Sequence, residues 1–164
     1  MKKIISLLPV LFCVITAQSQ LKVKAKCDEF YVDVLGGTIN DVRPDYTMGQ
    51  IKTKLPCFTS SDEEGSATAK CGGTIFYKDR DVYFYTDRDY IEIGEKFKGR
   101  MSVPLPGMLR KAVIKYFGQP MLKDDTWEAF QTAYGMAVMH YNKLGKVYLI
   151  QLTTKTAANL QLCE

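Results

Sequence analysis

The chain has 164 residues and a formal net charge of +4, with 46% hydrophobic and 24% charged residues. Positive and negative charges are mixed over short distances, and the sequence has no basic stripe of the kind that binds nucleic acid. This length builds one domain or two small ones. We therefore expect a folded protein that does not act on nucleic acid.

The first twenty residues have the pattern of an export signal. Lys2 and Lys3 provide the positive start, Ile4–Ile15 is an apolar run, and small residues around Ala17 offer a cleavage site. The apolar run is too short to cross a bilayer, which takes about 20 residues. We predict a cleaved signal peptide over residues 1–20 and a mature protein in the periplasm or outside the cell, with no integral membrane segment.

Residues 21–99 predict a first small α+β unit. A strand is expected over 29–35, and Thr47 is suited to cap a short helix, Met48–Leu55, that Pro56 ends. The polar stretch 60–70 is expected to be a solvated loop. Short charged turns then separate three runs rich in β-formers, which predicts an antiparallel meander. These strands are expected over Gly73–Tyr77, Val82–Thr86 and Tyr90–Ile93.

Residues 100–164 predict a second unit of the same kind. Leu109, Val113 and Tyr116, with Ala112 and Phe117, are expected to form one apolar face of a second helix, and Gly118 is a good end for that helix. Residues 126–133 are ambiguous between a short helix and a strand. Strands are expected over 134–141 and 146–154, and the tail 155–164 includes a candidate last strand. The predicted fold class is α+β, with two tandem units that each pack a short helix or helix pair on an antiparallel meander sheet.

Four cysteines remain after signal cleavage, and an even number in an exported chain indicates two disulfides. Three pairings are possible. We favour Cys57–Cys71, which closes the polar loop, and Cys27–Cys163, which ties the start of the mature chain to its end. A catalytic cysteine is the competing interpretation, but the chain has no Cys-x-x-Cys and no histidine near a cysteine in sequence.

The two units are similar in sequence pattern. Residues 71–75 correspond to residues 134–138, and the turn before Val82 corresponds to the turn before Val147, at a spacing of about 62 residues. A tandem duplication of a small α+β unit explains this pattern. The alternative is that any two α+β halves share such an order of elements.

One stretch resembles a known repeat unit. Its residues are Pro106-Gly107, Val113, Phe117-Gly118-Gln119-Pro120, Tyr134-Gly135, Val138, His140-Tyr141 and Gly145-Lys146-Val147. They are similar to units of the β-lactamase-inhibitor-protein-like fold, which is shared with small outer-membrane assembly lipoproteins. The position of Cys57–Cys71 also resembles a disulfide in a unit of the inhibitor. The resemblance implies two small sheets with helices on one face and a concave binding surface, but it identifies no contact residues.

Catalytic and metal-binding patterns are weak. His140 is the only histidine, so a zinc site lacks a second one, and a strand histidine that is packed or half exposed is the simpler interpretation. Paired carboxylates lie in predicted turns, where aspartate is favoured for local hydrogen bonds; these pairs are Asp79/Asp81, Asp87/Asp89 and Asp124/Asp125. We expect no enzyme, no metal site and no cofactor.

Aromatic residues are the best candidates for binding. Strand alternation places Val82 and Phe84 on one face and Tyr83 and Tyr85 on the other. The same alternation places Val147 and Leu149 on one face of their strand and Tyr148 and Ile150 on the other. One face should pack on the helices, while the other carries Tyr83, Tyr85 and Tyr148 as candidate binding residues. The alternative is a sheet covered on both sides.

Trp127 is a second candidate anchor for a partner, although core packing is the role that we favour for it.

The leading hypothesis is an exported protein-binding module, of the inhibitor or immunity type, that occludes a protein partner in the cell envelope: a toxin or an envelope enzyme. The alternative is an envelope structural or assembly factor. A hydrolase that uses scattered carboxylates or His140 is a third hypothesis.

Overall fold

A computed structural model describes residues 25–63, 65 and 72–162 of the chain. The predicted signal peptide therefore lies outside the described residues. Within them the strands are, in chain order, β1 Tyr31–Asp33, β2 Thr38–Ile39, β3 Ser60–Asp62, β4 Thr74–Tyr77, β5 Val82–Tyr85, β6 Tyr90–Gly94, β7 Arg100–Met101, β8 Leu122–Lys123, β9 Trp127–Gln131, β10 Met136–Tyr141 and β11 Val147–Thr153. The α-helices are α1 Met48–Lys54 and α2 Arg110–Phe117, and a 3₁₀ turn covers Lys78–Arg80. The predicted α+β class is confirmed.

The strands form two sheets. Eight strands make an antiparallel sheet in the order β3-β4-β5-β6-β11-β10-β9-β8. In the smaller sheet, of order β2-β1-β7, β1 runs antiparallel to β2 and parallel to β7. Helix α1 precedes the first four strands of the large sheet, and α2 precedes the other four. The two groups of four meet where β6 pairs with β11.

The core lies on one face of the large sheet, which we call the back face. Both helices and the small sheet pack on it. Phe30 meets Tyr77 edge to face with ring centroids 5.2 Å apart, and Phe117 of α2 lies 5.4 Å from Phe130 of β9. Buried side chains from both groups of strands form one cluster with the helices, including Ile51, Leu55, Ile75, Phe84, Ile91, Ile93, Val113, Met139, Ile150 and Leu152.

Helix α1 follows its sequence signals. Thr47 accepts a hydrogen bond from the backbone N–H of Gln50, whose side chain in turn accepts from the backbone of Thr47. This capping box supplies partners for groups that a helix start leaves unpaired. Pro56 follows the C-terminal residue Leu55, as predicted.

Helix α2 differs from the prediction in the face that it buries. Gly118 ends it with a φ of 77°, as expected for a glycine at this position. However, Leu109 and Tyr116 are 53% and 62% exposed, so the predicted apolar face is wrong for these two residues, whereas Val113 and Phe117 do pack on the core. Phe117 contacts Phe130 and Arg110 contacts Glu128, and the contact of Arg110, a charged residue, is not visible as helical periodicity.

Several other elements clarify or correct the prediction. The ambiguous stretch 126–133 contains a strand, β9, because its backbone pairs with β10 and β8. Residues 60–62 of the predicted loop form the edge strand β3. Residues 160–162 of the tail are not in a strand, so the candidate last strand is wrong there. None of the helices in the described part of the chain is long and apolar enough to span a membrane.

The disulfide joins Cys27 to Cys57, with Cα atoms 5.4 Å apart. The predicted pairings Cys57–Cys71 and Cys27–Cys163 are therefore wrong for Cys27 and Cys57, and Cys71 and Cys163 lie outside the described residues. Two contacts of Tyr77 show why Cys27 lies close enough to pair with Cys57. The Tyr77 hydroxyl donates to the carbonyl of Leu55 at 2.7 Å while the Tyr77 ring packs on Phe30, so the end of α1 lies beside the start of β1.

A buried polar cluster attaches α2 to the back face. Arg110 Nε lies 3.5 Å from Glu128 Oε1, and Tyr141 donates to Glu128 Oε2 at 2.8 Å. The guanidinium carbon lies 4.4 Å from the centroid of the Tyr141 ring. Arg110 also donates to the carbonyls of Asp124 and Asp125. Burial, and then the bond to Glu128, raises the pKa of Tyr141, so its hydroxyl stays a donor.

We predict that non-reducing peptide mapping of the purified protein recovers a Cys27–Cys57 cross-linked peptide. Replacing Cys57 by alanine should cost about 3–4 kcal/mol of unfolding free energy, from the closure entropy of a loop of this length. The cost is measured by denaturant titration under oxidising conditions, and it should vanish in reductant. Recovery of a Cys57–Cys71 peptide would contradict the pairing.

We also predict that Glu128→Ala lowers the free energy of unfolding by about 3 kcal/mol, the low end for breaking a buried ion pair. The low end applies because 33% of the Arg110 side chain is exposed. The matched control is Asp45→Ala, which removes the surface pair Arg43–Asp45 and should cost no more than about 1 kcal/mol. Equal losses for the two variants in urea titrations would show that the cluster does not hold α2 in place.

Candidate binding face

The large sheet has a second face, opposite the helices, which we call the front face. One row of cross-strand neighbours runs along it from Phe76 through Tyr83, Glu92 and Gln151 to Val138. Their neighbours along each strand alternate to the back face. The predicted division of β5 is confirmed, since Val82 and Phe84 are buried in the core.

The front face carries all four residues predicted to bind a partner. Tyr83 and Tyr85 lie on β5, and Trp127 lies on β9, two residues before the front-face Ala129. Tyr148 is 41% exposed, and its ring lies 6.4 Å from that of His140. Trp127 and Tyr148 share one groove, whereas Tyr83 and Tyr85 lie beside it on a different strand.

Tyr148 owes its position to a β-bulge. The register shifts between His140 and Tyr141, so that His140 opposes Leu149 while Tyr141 opposes Val147. Tyr148 is the extra residue. Val147 and Ile150 therefore both turn to the core, and the predicted grouping of Val147 with Leu149 and of Tyr148 with Ile150 is wrong. An apolar run gives no sign of a bulge, because the bulge depends on pairing with β10.

Beside the groove lies an aromatic patch, defined by Phe76, Tyr83, Tyr85 and Tyr90. Tyr85 and Tyr90 stack with centroids 4.5 Å apart, and Phe76 meets Tyr83 edge to face at 5.9 Å. Burial, followed by the charge of Glu92, raises the pKa of Tyr85 to about 12. Its hydroxyl is therefore neutral over the physiological range. Each ring of the patch thus packs on its cross-strand neighbour.

A chain of polar side chains crosses the centre of the front face. The Gln151 amide donates to Glu92 Oε2 at 3.4 Å, and its oxygen lies 3.0 Å from His140 Nε2. The amide nitrogen of Gln151 donates to Glu92, so the amide oxygen of Gln151 must accept from His140. The proton of the neutral histidine ring is therefore on Nε2. Burial lowers the pKa of His140 despite this bond, so the ring is neutral at pH 7.

Glu92 is the acidic end of this chain of side chains. Burial raises its pKa, the bond from Gln151 lowers it, and the nearby charge of Asp81 raises it again. Sequence reasoning missed Glu92 and Gln151. The available signal was a single polar residue inside each of two apolar strands, but only the β6–β11 pairing places those residues opposite each other.

The groove has a volume of about 340 Å³. Its lining residues are Glu92, Asp124, Thr126, Trp127, His140, Tyr148, Leu149, Gln151 and Leu162. Strand β10 contributes His140 between the strands that carry Trp127 and Tyr148. The groove is thus polar at its centre and aromatic on both sides.

The chain's own tail covers the remaining part of the front face. Leu160 and Leu162 pack on Ala129, Met136 and Val138. Lys155 forms an ion pair with Asp89 in the β5–β6 turn, and the backbone N–H of Thr154 donates to the carbonyl of the same residue. The predicted alternative of a sheet covered on both faces therefore applies over β8–β10.

The carboxylates considered in the sequence are held in turns. Asp81 adopts a left-handed conformation with a φ of 59° and accepts from the backbone N–H of Lys96 at 2.9 Å. Asp89 pairs with Lys155, and Asp124 accepts from the backbone of Thr126. Within the described residues, no three or more His, Cys, Asp or Glu side chains are grouped so that they could hold a metal ion.

Comparison of the chain with protein-family models, with curated protein sequences and with solved structures finds no match. The similarity to β-lactamase-inhibitor-protein-like units stays a prediction from the quoted motifs.

We predict that Glu92→Gln raises the melting temperature at pH 7, because the charged form of Glu92 is disfavoured by burial. A carboxyl whose pKa is raised in the folded state contributes full stability below its unfolded pKa and loses it as the pH rises through the folded pKa. The gain should therefore disappear at pH 3. Thermal melts at both pH values test this, and a lower melting temperature at pH 7 would contradict it.

Proposed function

We propose that this protein is an exported, non-enzymatic binding module of the inhibitor or immunity type, which uses its front face to occlude a protein partner in the cell envelope. The Cys27–Cys57 disulfide fits an oxidising compartment. The partner is a toxin or an envelope enzyme, and the protein works in the periplasm or outside the cell.

The observation that carries the proposal is the position of the aromatic patch beside the groove on one sheet face. Tyrosine provides a large contact area with few rotatable bonds, so little entropy is lost when it binds. Aromatic residues are enriched where proteins meet. Tyr90 of the patch is buried, but Phe76, Tyr83, Tyr85 and Tyr148 stay partly exposed on the face opposite the helices, and a protein without a partner there has little reason to hold them so.

The contacts of His140 support a role without catalysis. Its Nε2 is bonded to a glutamine amide, and no nucleophile or carboxylate in the described residues bonds to the ring. General base catalysis needs the base within hydrogen-bond reach of the proton that it takes. The Glu92–Gln151–His140 chain instead gives the front face a fixed pattern of donors and acceptors.

We further propose that the two halves, 21–99 and 100–164, are tandem units of the kind that the resemblance implies. The support is the order of elements. Each half supplies a helix and then four strands, and the last strands of the halves, β6 and β11, lie side by side at the centre of the sheet. A duplication would produce this mirrored strand order.

The triple variant Tyr83→Ala/Tyr85→Ala/Tyr148→Ala tests whether the front face binds the partner. Its capture of the partner from envelope extract, followed by mass spectrometry, should fall by about 30-fold or more, as expected when rings at the centre of an interface are truncated. The matched control is Tyr116→Ala, since this tyrosine is 62% exposed on α2 and should leave capture unchanged.

Thermal melts establish that the triple variant is folded. Unchanged capture by the folded variant would reject this surface. Stable recovery of outer-membrane assembly components, in place of a toxin or enzyme, would favour the assembly-factor alternative.

A further inference from the structure

We infer that this protein lies against an anionic phospholipid surface, which it contacts through the exposed side of helix α2 and the turn between β10 and β11, residues 142–146. We call this surface the α2 patch, and its residues are Leu109, Lys111, Lys115, Tyr116, Lys143 and Leu144. The inference goes beyond the proposed function. Because α2 packs on the back face, its exposed side is turned away from the front face.

The apolar surface of α2 is wider than the part that the core covers. Val113 and Phe117 pack on the core. Leu109 at the start of the helix and Tyr116, two turns further along, are 53% and 62% exposed. A helix that packs one side on a core normally carries polar residues on the opposite side. Packing within the described chain therefore does not account for these two side chains.

The turn between β10 and β11 extends this apolar surface. Leu109 and Lys146 form an isolated antiparallel bridge, and the backbone N–H of Arg110 donates to the carbonyl of Gly145 at 2.9 Å. The turn thus lies against the start of α2 and brings Leu144 close to Leu109. Leu144 is 74% exposed, the largest fraction among the exposed large hydrophobic residues of the described chain. Its side chain is available to an apolar phase outside the protein.

Exposed lysines accompany these apolar residues. Lys111 and Lys115 lie one helical turn apart on α2, and Lys143 precedes Leu144 in the turn. Within the described residues none of the three forms a salt bridge, and neither α2 nor the turn contains an acidic residue. Asp125 lines a pocket together with Lys143, so the positive charge of Lys111 and Lys115 is the less compensated.

This combination has the chemistry of a membrane-surface contact. Apolar side chains enter the boundary between headgroups and acyl chains, and tyrosine rings lie at headgroup level. Lysine stems follow the apolar side chains inward while their ammonium groups stay with the anionic headgroups. An acidic protein segment would also suit the lysines, but Leu144 projects from a turn and a bilayer accepts such a side chain without a matching pocket. A protein bound in this way keeps its front face turned away from the lipid.

Vesicle co-sedimentation tests the inference. The protein is purified after export, so that the apolar run of the predicted signal peptide does not contribute to binding. Vesicles of phosphatidylcholine with about one-third phosphatidylglycerol should bind it at least tenfold more tightly than pure phosphatidylcholine, because each lysine near an anionic surface contributes about fivefold in affinity. Added salt should weaken the binding by screening these charges.

The variant Lys111→Gln/Lys115→Gln should lose about 20-fold in affinity for the anionic vesicles. The matched control is Lys78→Gln/Arg88→Gln, which removes the same charge at exposed residues. The control side chains contact Phe76 and the tail on the front-face side of the sheet. The control should lose less than about threefold, because charges further from the bilayer than a Debye length are screened.

The apolar part of the patch has its own variant. Leu144→Ser should lose about tenfold in affinity, since a leucine side chain no longer leaves water on binding. The matched control Leu35→Ser changes a leucine that is 53% exposed outside the patch and should bind like the unchanged protein. Melting curves show whether each variant is folded.

Several results would overturn the inference: equal binding to neutral and anionic vesicles, no saturable binding, or unchanged affinity in the folded lysine or Leu144 variants. Capture of an acidic protein through Lys111 and Lys115 without vesicle binding would also overturn it and would assign the patch to a protein partner. The vesicle assay contains no protein partner. Its failure therefore leaves the proposed function of the front face standing, and failure of the front-face capture test leaves the vesicle result standing.

Discussion

The pairing of β6 with β11 is the contact on which the rest of the structure depends. It joins two groups of four strands into one sheet. On the back face it brings Ile91 beside Leu152 and Ile93 beside Ile150, all fully buried. A sheet face needs a continuous apolar surface to pack helices against, and this seam makes the surfaces of the two halves continuous.

The same seam organises the front face. It places Glu92 opposite Gln151, and Gln151 then reaches His140 on the next strand. Two isolated polar residues in apolar strands thereby acquire hydrogen-bond partners, which they need because polar groups are costly to bury alone. The β6–β11 pairing therefore positions both the core and the candidate binding surface. Its apolar side chains lie on the back face and its polar side chains lie on the front face.

The front face is divided by the chain's own tail. Where Leu160 and Leu162 lie, the sheet is packed on both sides and serves stability. Leu162 lies at the edge of the groove, and the aromatic patch lies on the other side of the groove, on β4–β6. The bulge in β11 adds Tyr148 to the groove without removing an apolar side chain from the core, because Val147 and Ile150 both stay buried. The fold thus combines a packed core with a partly exposed aromatic surface.

Local signals in the amino-acid order were sufficient for the α+β class, the capping of α1 at Thr47, the end of α2 at Gly118, the central strands and the division of β5 into two faces. Each depends on backbone preferences and alternation within a few residues. The Cys27–Cys57 pairing, the buried face of α2, the bulge at Tyr148 and the Glu92–Gln151–His140 chain could not be predicted in this way. They depend on which distant segments become neighbours, and that choice is made by packing across the whole sheet, where no short stretch of sequence carries the information.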